Sequence, residues 1–456
     1  MANVNHKLKN SFEGALAGGG NPATSPLYVF GPFLKMIVIA GVANITFGSS
    51  VWLVILTIAA ASMVYRYVMN WVTDGSGGSG MSEEEFGTWA IKVNAAITFI
   101  EYSLTFLVSM SALVTFVADR LPVMNASFLG FQYRVYLAIL LSILIGWLVN
   151  RGPKMATIAF GPATAAILLL LWLMIIETIV KSGFHLPTLT LQAFSPSYLS
   201  FTIKGYVMIL AVMTGIEVFA NLVPAFTGEE HEKSKKAFGS LLMVMFTTIA
   251  TMLIVGPEIY LISNPTTSEM SVFTQTMDFL LPQPLAYFGS LVSIFVLMSA
   301  CAASSQGLQN LSSGLASRSY LPEKFTEKNN CDVANKPVWL QVLIVCAGFI
   351  LIGTKEEVYL GLYAAGVFII ISQSGWAVTR RLIRASQQEK TWQSVVKYLI
   401  TGFSASLTTL ATVIVLIEKF SEGAWLYFIF IPLIYSVFTY FNKKFLLKSK
   451  AIVSRT

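Results

Sequence analysis

Gly18-Gly19-Gly20-Asn21-Pro22-Ala23-Thr24-Ser25-Pro26-Leu27-Tyr28 is the stretch on which the reading of this chain turns. It sits inside an apolar segment that begins near Ala15, resumes at Tyr28 and runs to about Ala43. Glycine costs backbone entropy and proline lacks the amide donor, so this density of both predicts an interrupted helix. Within a bilayer, broken backbone persists only where protein or a water-filled cavity covers it. The freed carbonyls and the N-terminus of the second half-helix then become ligands for an ion or a solute. The alternative is an ordinary loop ahead of a first span starting at Tyr28.

Composition favours the membrane. The 456 residues are 55% hydrophobic and 12% charged, with a mean hydropathy of +0.69. A soluble domain carries roughly twice that charged fraction. Apolar segments lie near 14–43, 49–70, 86–118, 133–149, 155–179 and 203–226. Six more lie near 237–262, 280–316, 337–353, 357–378, 395–418 and 424–441. About 12 transmembrane helices follow at ~20 residues each. The expectation is an all-α integral membrane protein that forms one transmembrane transporter domain over 1–456, with no soluble domain. Met1 to Asn10 is polar and basic, so no cleavable signal peptide is expected. Three cysteines without metal spacing argue against a disulfide framework or a structural zinc.

With twelve spans, roughly 22 lysines and arginines fall on the side of the termini against 7 opposite. The larger group includes Lys7, Lys154, Lys390, Lys448, Lys450 and Arg455; the smaller includes Lys35, Arg120 and Lys419. That bias predicts a multi-pass protein of the cell (cytoplasmic) membrane with both termini cytoplasmic. It also accounts for the +7 net charge without nucleic-acid binding. Gly75-Ser76-Gly77-Gly78-Ser79-Gly80 reads as a flexible hinge, followed by a helix start with Ser82 as N-cap and Glu85 three residues on.

The sixth segment echoes the first. An apolar helix from Tyr206 meets Thr214-Gly215, then Glu217 and Asn221-Leu222-Val223-Pro224. A glycine-interrupted span opening each half is the mark of a five-plus-five inverted repeat. The repeats are expected at about 11–180 and 200–378, with extra helices at about 395–441.

Several side chains can carry chemistry there. Glu101, Thr105 and Ser109 share one helical face at i, i+4 and i+8. Hydroxyls on that face suit a cation or a solute, or else helix packing. Glu101 within an apolar run is a functional candidate by default. Glu217, just past the second break, is either a cap stabilised by the helix dipole or a proton carrier. Ser304 and Ser305 offer further hydroxyls, with sodium as one ligand to consider. Glu177, Glu258 and Glu356 read as solvated residues near span ends. His6, His185 and His231 read as loop residues, which leaves no histidine relay in the membrane.

These residues resemble a known family. Thr24-Ser25-Pro26-Leu27-Tyr28 is similar to the first-helix motif of the KUP/HAK/KT potassium uptake transporters. More of the chain resembles their KimA-type branch, within the amino acid–polyamine–cation (APC) superfamily. The matching stretches are Gly77-Gly78-Ser79, Glu101 to Thr105, Thr214 to Val218 with Asn221 to Pro224, and Gln306-Gly307 through Leu321-Pro322. Leu362 to Phe368 and Lys419 to Trp425 complete the set, in order along nearly the whole chain. The resemblance implies a LeuT-type fold of inverted repeats plus two extra helices, and proton-coupled import. It also implies potassium ligands at Tyr28, Thr105, Ser109, Thr214 and Tyr363. The family's acidic residue in the first helix is Asn21 here, which coordinates through a carbonyl but carries no charge and no proton. The family's long cytosolic C-terminal domain has no counterpart before Thr456, so the regulation and dimerisation attributed to it are not carried over.

The leading expectation is a secondary active importer of potassium, with a coupling proton, in contact with the lipid bilayer. The alternative is an amino acid or polyamine permease of the same fold, in which backbone amides at the breaks take a substrate carboxylate. A sensor or channel on the same scaffold is the remaining reading. No nucleophile-and-base pair, metal cluster or phosphate loop appears, so no enzyme and no cofactor or metal site is expected. A homodimer is left open.

Overall fold

The computed structural model describes residues 8–266, 270–331, 333–388 and 391–453. The sequence readings on His6, Lys7, Lys390 and Arg455 lie outside them, as do those on the side chains of Lys154, Lys448 and Lys450.

The chain is an all-α integral membrane protein. Among the described residues, ten helices are long and apolar enough to cross a membrane, and two further apolar helices have 17 residues each. The first half comprises α1 (Ser11–Gly18), α2 (Gly20–Ile39), α3 (Ala43–Trp71), α4 (Gly77–Phe86), α5 (Thr88–Arg120), α6 (Tyr133–Val149) and α7 (Pro153–Ser182). The second begins with α8 (Leu199–Leu210), α9 (Ile216–Asn221), α10 (Glu230–Ala250), α11 (Gly256–Ile262) and α12 (Val272–Leu280). It continues with α13 (Gln283–Ser317), α14 (Asn335–Leu351), α15 (Glu356–Gln388), α16 (Trp392–Glu418) and α17 (Leu426–Val453). A hairpin pairing Ser127–Phe128 with Phe131–Gln132 is the strand structure among the described residues.

Helix α2 lies deep inside. It packs on α8, α10 and α13, while α5 packs on α13 and α15. Residues 20 to 30 of α2 are all buried, including Asn21, Thr24 and Ser25. An apolar helix whose polar residues face inward has a site to line rather than lipid to meet. The last span is the converse: α17 is apolar and largely uncovered by the rest of the chain.

The first break is narrower than the sequence suggests. Backbone bonds from Gly19 N to Ala15 O (2.8 Å) and from Ala23 N to Gly19 O (2.9 Å) carry the helical ladder across Gly19. The expected interruption over 18–28 is therefore corrected to a joint at Gly18–Gly20, with Asn21 to Tyr28 helical. The prolines fit for local reasons. Pro22 falls in the first turn of α2 and has no amide to offer the carbonyl of Gly18, so the ladder loosens at the joint itself. Pro26 and Pro32 lie inside α2 and remove the amides that would have met the carbonyls of Pro22 and Tyr28. The second break is complete. Helix α8 tightens through Ala211–Met213, Thr214 is extended (φ −62°, ψ 137°), and Gly215 is left-handed at φ 93°.

The glycine-rich stretch after α3 is not a flexible hinge. Residues 77–86 form α4, and Ser82 lies within it, bonding back to Gly78 O at 2.9 Å rather than capping it. The glycines serve contact. A Cβ on Gly77 would fall 2.4 Å from Asn221 Oδ1, and one on Gly78 2.3 Å from Ser374 Oγ. Glu83, Glu84 and Glu85 of α4 pair with Arg318, Arg381 and Arg384. Two smaller expectations change too. Glu258 is buried and His231 falls in the first turn of α10.

Candidate functional site

The unwound backbone at Thr214 and Gly215 meets the start of α2. A Cβ on Gly215 would lie 2.7 Å from Pro22 Cδ, so the left-handed turn and the proline ring touch. From this contact a chain of oxygens runs outward. Ser25 Oγ lies 3.4 Å from Thr214 Oγ1 and 3.3 Å from Tyr28 Oη. Asn21 Nδ2 donates to Tyr363 Oη of α15 at 2.9 Å, and Tyr363 also faces the hydroxyl of Thr105 on α5. Asn21, Tyr28, Thr105, Ser109, Thr214 and Tyr363 are all buried, none more than 9% exposed. Three helices and the unwound segment between α8 and α9 thus bring Asn21, Tyr28, Thr105, Thr214 and Tyr363 together, and Ser109 lies one turn beyond Thr105 on α5.

The direction of the hydroxyl protons is informative. Thr24 donates to Asn21 O (2.6 Å), Thr105 to Glu101 O (2.9 Å) and Thr214 to Ala211 O (2.8 Å). A hydroxyl that spends its proton on its own backbone presents lone pairs to whatever lies beside it. Asn21 Oδ1 and Ser109 Oγ are buried with no partner at all. Native interiors rarely leave such atoms unpaired without a ligand, a water or a functional reason.

Below this cage lie the two carboxylates. Glu101 on α5 and Glu217 in the first turn of α9 face each other within hydrogen-bonding reach. Each also keeps one buried oxygen without a partner.

A cavity of about 570 Å³ reaches this level. Asn21, Thr105, Glu101 and Glu217 line its inner end; Asp74, Gly314 and Arg318 mark its mouth. The mouth is on the side of the loops that follow α3 and α13. The opposite side is shut. Asp119, at the end of α5, accepts from Ser271 N (3.0 Å), Ser271 Oγ (2.5 Å) and Thr274 Oγ1 (2.6 Å) at the start of α12. Its neighbour Arg120 holds Asp278 with two bonds of 2.9 and 2.7 Å and lies over the ring of Tyr287. No residue of α12 lines the cavity.

Of the remaining candidates, Ser304 lines the cavity and donates to Cys301 O at 2.8 Å. Ser305 does not join it: its hydroxyl bonds Gln341 Oε1 of α14 at 2.7 Å. Glu356 accepts from Thr115 near the closed end. Sequence reasoning missed Ser25 and Tyr65. Ser25 lay in the quoted motif and links both breaks, yet its flanking prolines marked it as loop. Tyr65 lines the cavity with its hydroxyl unpartnered, but a lone tyrosine in an apolar span carries no distinguishing pattern.

No protein-family model matches the chain. It is 25% identical over 240 residues to the potassium transporter KimA of Bacillus subtilis (strain 168). The match covers 52% of this chain and 38% of that protein. The chain therefore spans well under half the length of the curated relative that it matches.

Proposed function

We propose that this protein is a secondary active transporter that imports potassium across the cytoplasmic membrane with a coupling proton. The observation that carries the reading is the inward lone-pair cage at the meeting of α2, α5, α8–α9 and α15. Hydroxyls already committed as donors, together with the orphaned Asn21 Oδ1 and Ser109 Oγ, offer acceptors and few protons. Such a lining suits a large monovalent cation and repels an anion. Glu101 and Glu217 supply the coupling site: the proton that they share is lost to, or gained from, the open cavity. In this reading Asn21 coordinates without charge, and the carboxylate pair supplies the negative field one level away. Residues 11–180 and 200–378 act as inverted repeats of an APC-type fold, both termini are cytoplasmic, and the open cavity faces inward.

A second reading keeps one observation in its favour. The cavity is many times the ~30 Å³ that a water occupies in the liquid, ample for an organic solute. An amino acid or polyamine permease would place a carboxylate or amine there, against the backbone amides at Gly215 and the start of α2. Proteoliposome uptake of rubidium and of a mixed amino acid panel, under an imposed proton gradient, separates the two. Rubidium flux that follows the gradient supports the cation; amino acid flux without rubidium flux moves the assignment to the permease.

A further inference from the structure

A second concavity lies away from the transport site, on the outer surface between α5, α15 and α16. It encloses about 690 Å³ and is mostly apolar, lined by Phe86, Trp89, Val93 and Ile383 among others. Along α15 its lining residues recur from Ile369 through Gln373 and Trp376 to Arg380 and Arg384, one face of the helix. At 1.5 Å per residue that face is ~22 Å long. One hydrocarbon leaflet is ~15 Å thick, so the groove matches a single acyl chain together with its headgroup.

The charge sits at one end. Glu83, Glu84 and Glu85 each have an arginine: Arg318, Arg381 and Arg384. Arg380 is left over. It lies over the Phe86 ring at 5.5 Å, and no carboxylate among the described residues pairs with it. This is the end that carries the cavity mouth, since Arg318 belongs to both clusters. Deeper in the groove, Gln373 Nε2 is buried without an acceptor. An apolar slot with an uncompensated guanidinium at the rim and an unpaired amide donor inside requires an anionic, acceptor-rich, amphipathic occupant.

We propose that this groove is a binding site for one anionic phospholipid. Its phosphate lies on Arg380, an ester carbonyl accepts from Gln373, and an acyl chain runs beside Trp376 toward Ile369. Because α15 also carries Tyr363, bound lipid braces a helix that lines the proposed transport site.

The test is native mass spectrometry of the full chain in detergent, offered equal amounts of phosphatidylglycerol and phosphatidylcholine. One retained phosphatidylglycerol per chain, not displaced by inorganic phosphate, is the expected result. Arg380→Glu should lower its occupancy about tenfold or more, the loss of one charge-assisted contact. Gln373→Leu, which leaves the charge untouched, should lower it by a smaller factor. Equal retention of both lipids, or unchanged occupancy in Arg380→Glu, overturns the proposal. So does a dimer that forms through this face and excludes lipid.

Discussion

Asn21 of the first transmembrane helix donates its amide proton to the phenol of Tyr363, 342 residues away, at 2.9 Å. Both groups are buried, and Asn21 Oδ1 is left facing the site with nothing to bind. The bond fixes the amide so that its acceptor, not its donor, is the group left free. An aspartate in the same place would accept from Tyr363 and still present one charged oxygen.

Asn21→Asp is therefore expected to strengthen cation binding by about tenfold, or ~1.4 kcal/mol, since it adds a charge where solvent is scarce. The check is the half-saturation for rubidium in proteoliposomes. An unchanged value would take potassium out of the cage.

Tyr363→Phe strands the Asn21 amide proton. An unsatisfied buried donor costs ~1–3 kcal/mol, so a small drop in melting temperature should accompany weaker uptake. Wild-type uptake with the same drop in stability would leave Tyr363 a purely structural role.

Glu101→Gln removes one of the facing carboxylates while keeping its size. Uptake driven by a proton gradient should fall to the level of empty liposomes, while exchange of solute across the membrane without a gradient persists. Loss of both activities together would mean that Glu101 binds solute rather than the proton.

Gly215→Ala forces a side chain into a left-handed turn and against Pro22. The conformation alone costs ~1–2 kcal/mol, and the contact adds to it. Gly31→Ala on α2, where a Cβ would meet its nearest neighbour at 3.9 Å, is the control. Thermal stability measured on both should separate them clearly.

Arg120→Ala releases Asp278 and frees the closed side. A cysteine introduced at Val272 should then react faster with a membrane-impermeant maleimide added on that side, and unaltered labelling would show that Asp119 holds α12 by itself.

The break at Thr214–Gly215 was legible because glycine after a threonine in an apolar run has few other uses. The i, i+4, i+8 face of Glu101, Thr105 and Ser109 was legible for a similar reason: period alone puts them together. The first span was harder. Composition cannot tell proline in a helix's first turn from proline that ends a helix, so 18–28 read as a longer interruption than the joint at Gly19. The stretch 75–80 failed differently. Its letters are those of a linker, but here the missing side chains let a helix touch Asn221 and Ser374. The meeting of Glu101 with Glu217 was not legible at all, because nothing in either span specifies which face of α5 meets the start of α9.

That short acidic helix has a mechanical consequence. Two of its three ion pairs tie it to α15, and Gly78 leaves no gap against Ser374, so the two move as one body. Gly77 meets Asn221 with equally little clearance, but no salt link among the described residues spans that contact. If α4 and α15 shift together against α9 and α13, the sliding seam lies there, and the bond between Glu83 and Arg318 must stretch or part on every stroke. Added salt on that face would loosen the restraint, quickening turnover while leaving the grip on the solute unaltered.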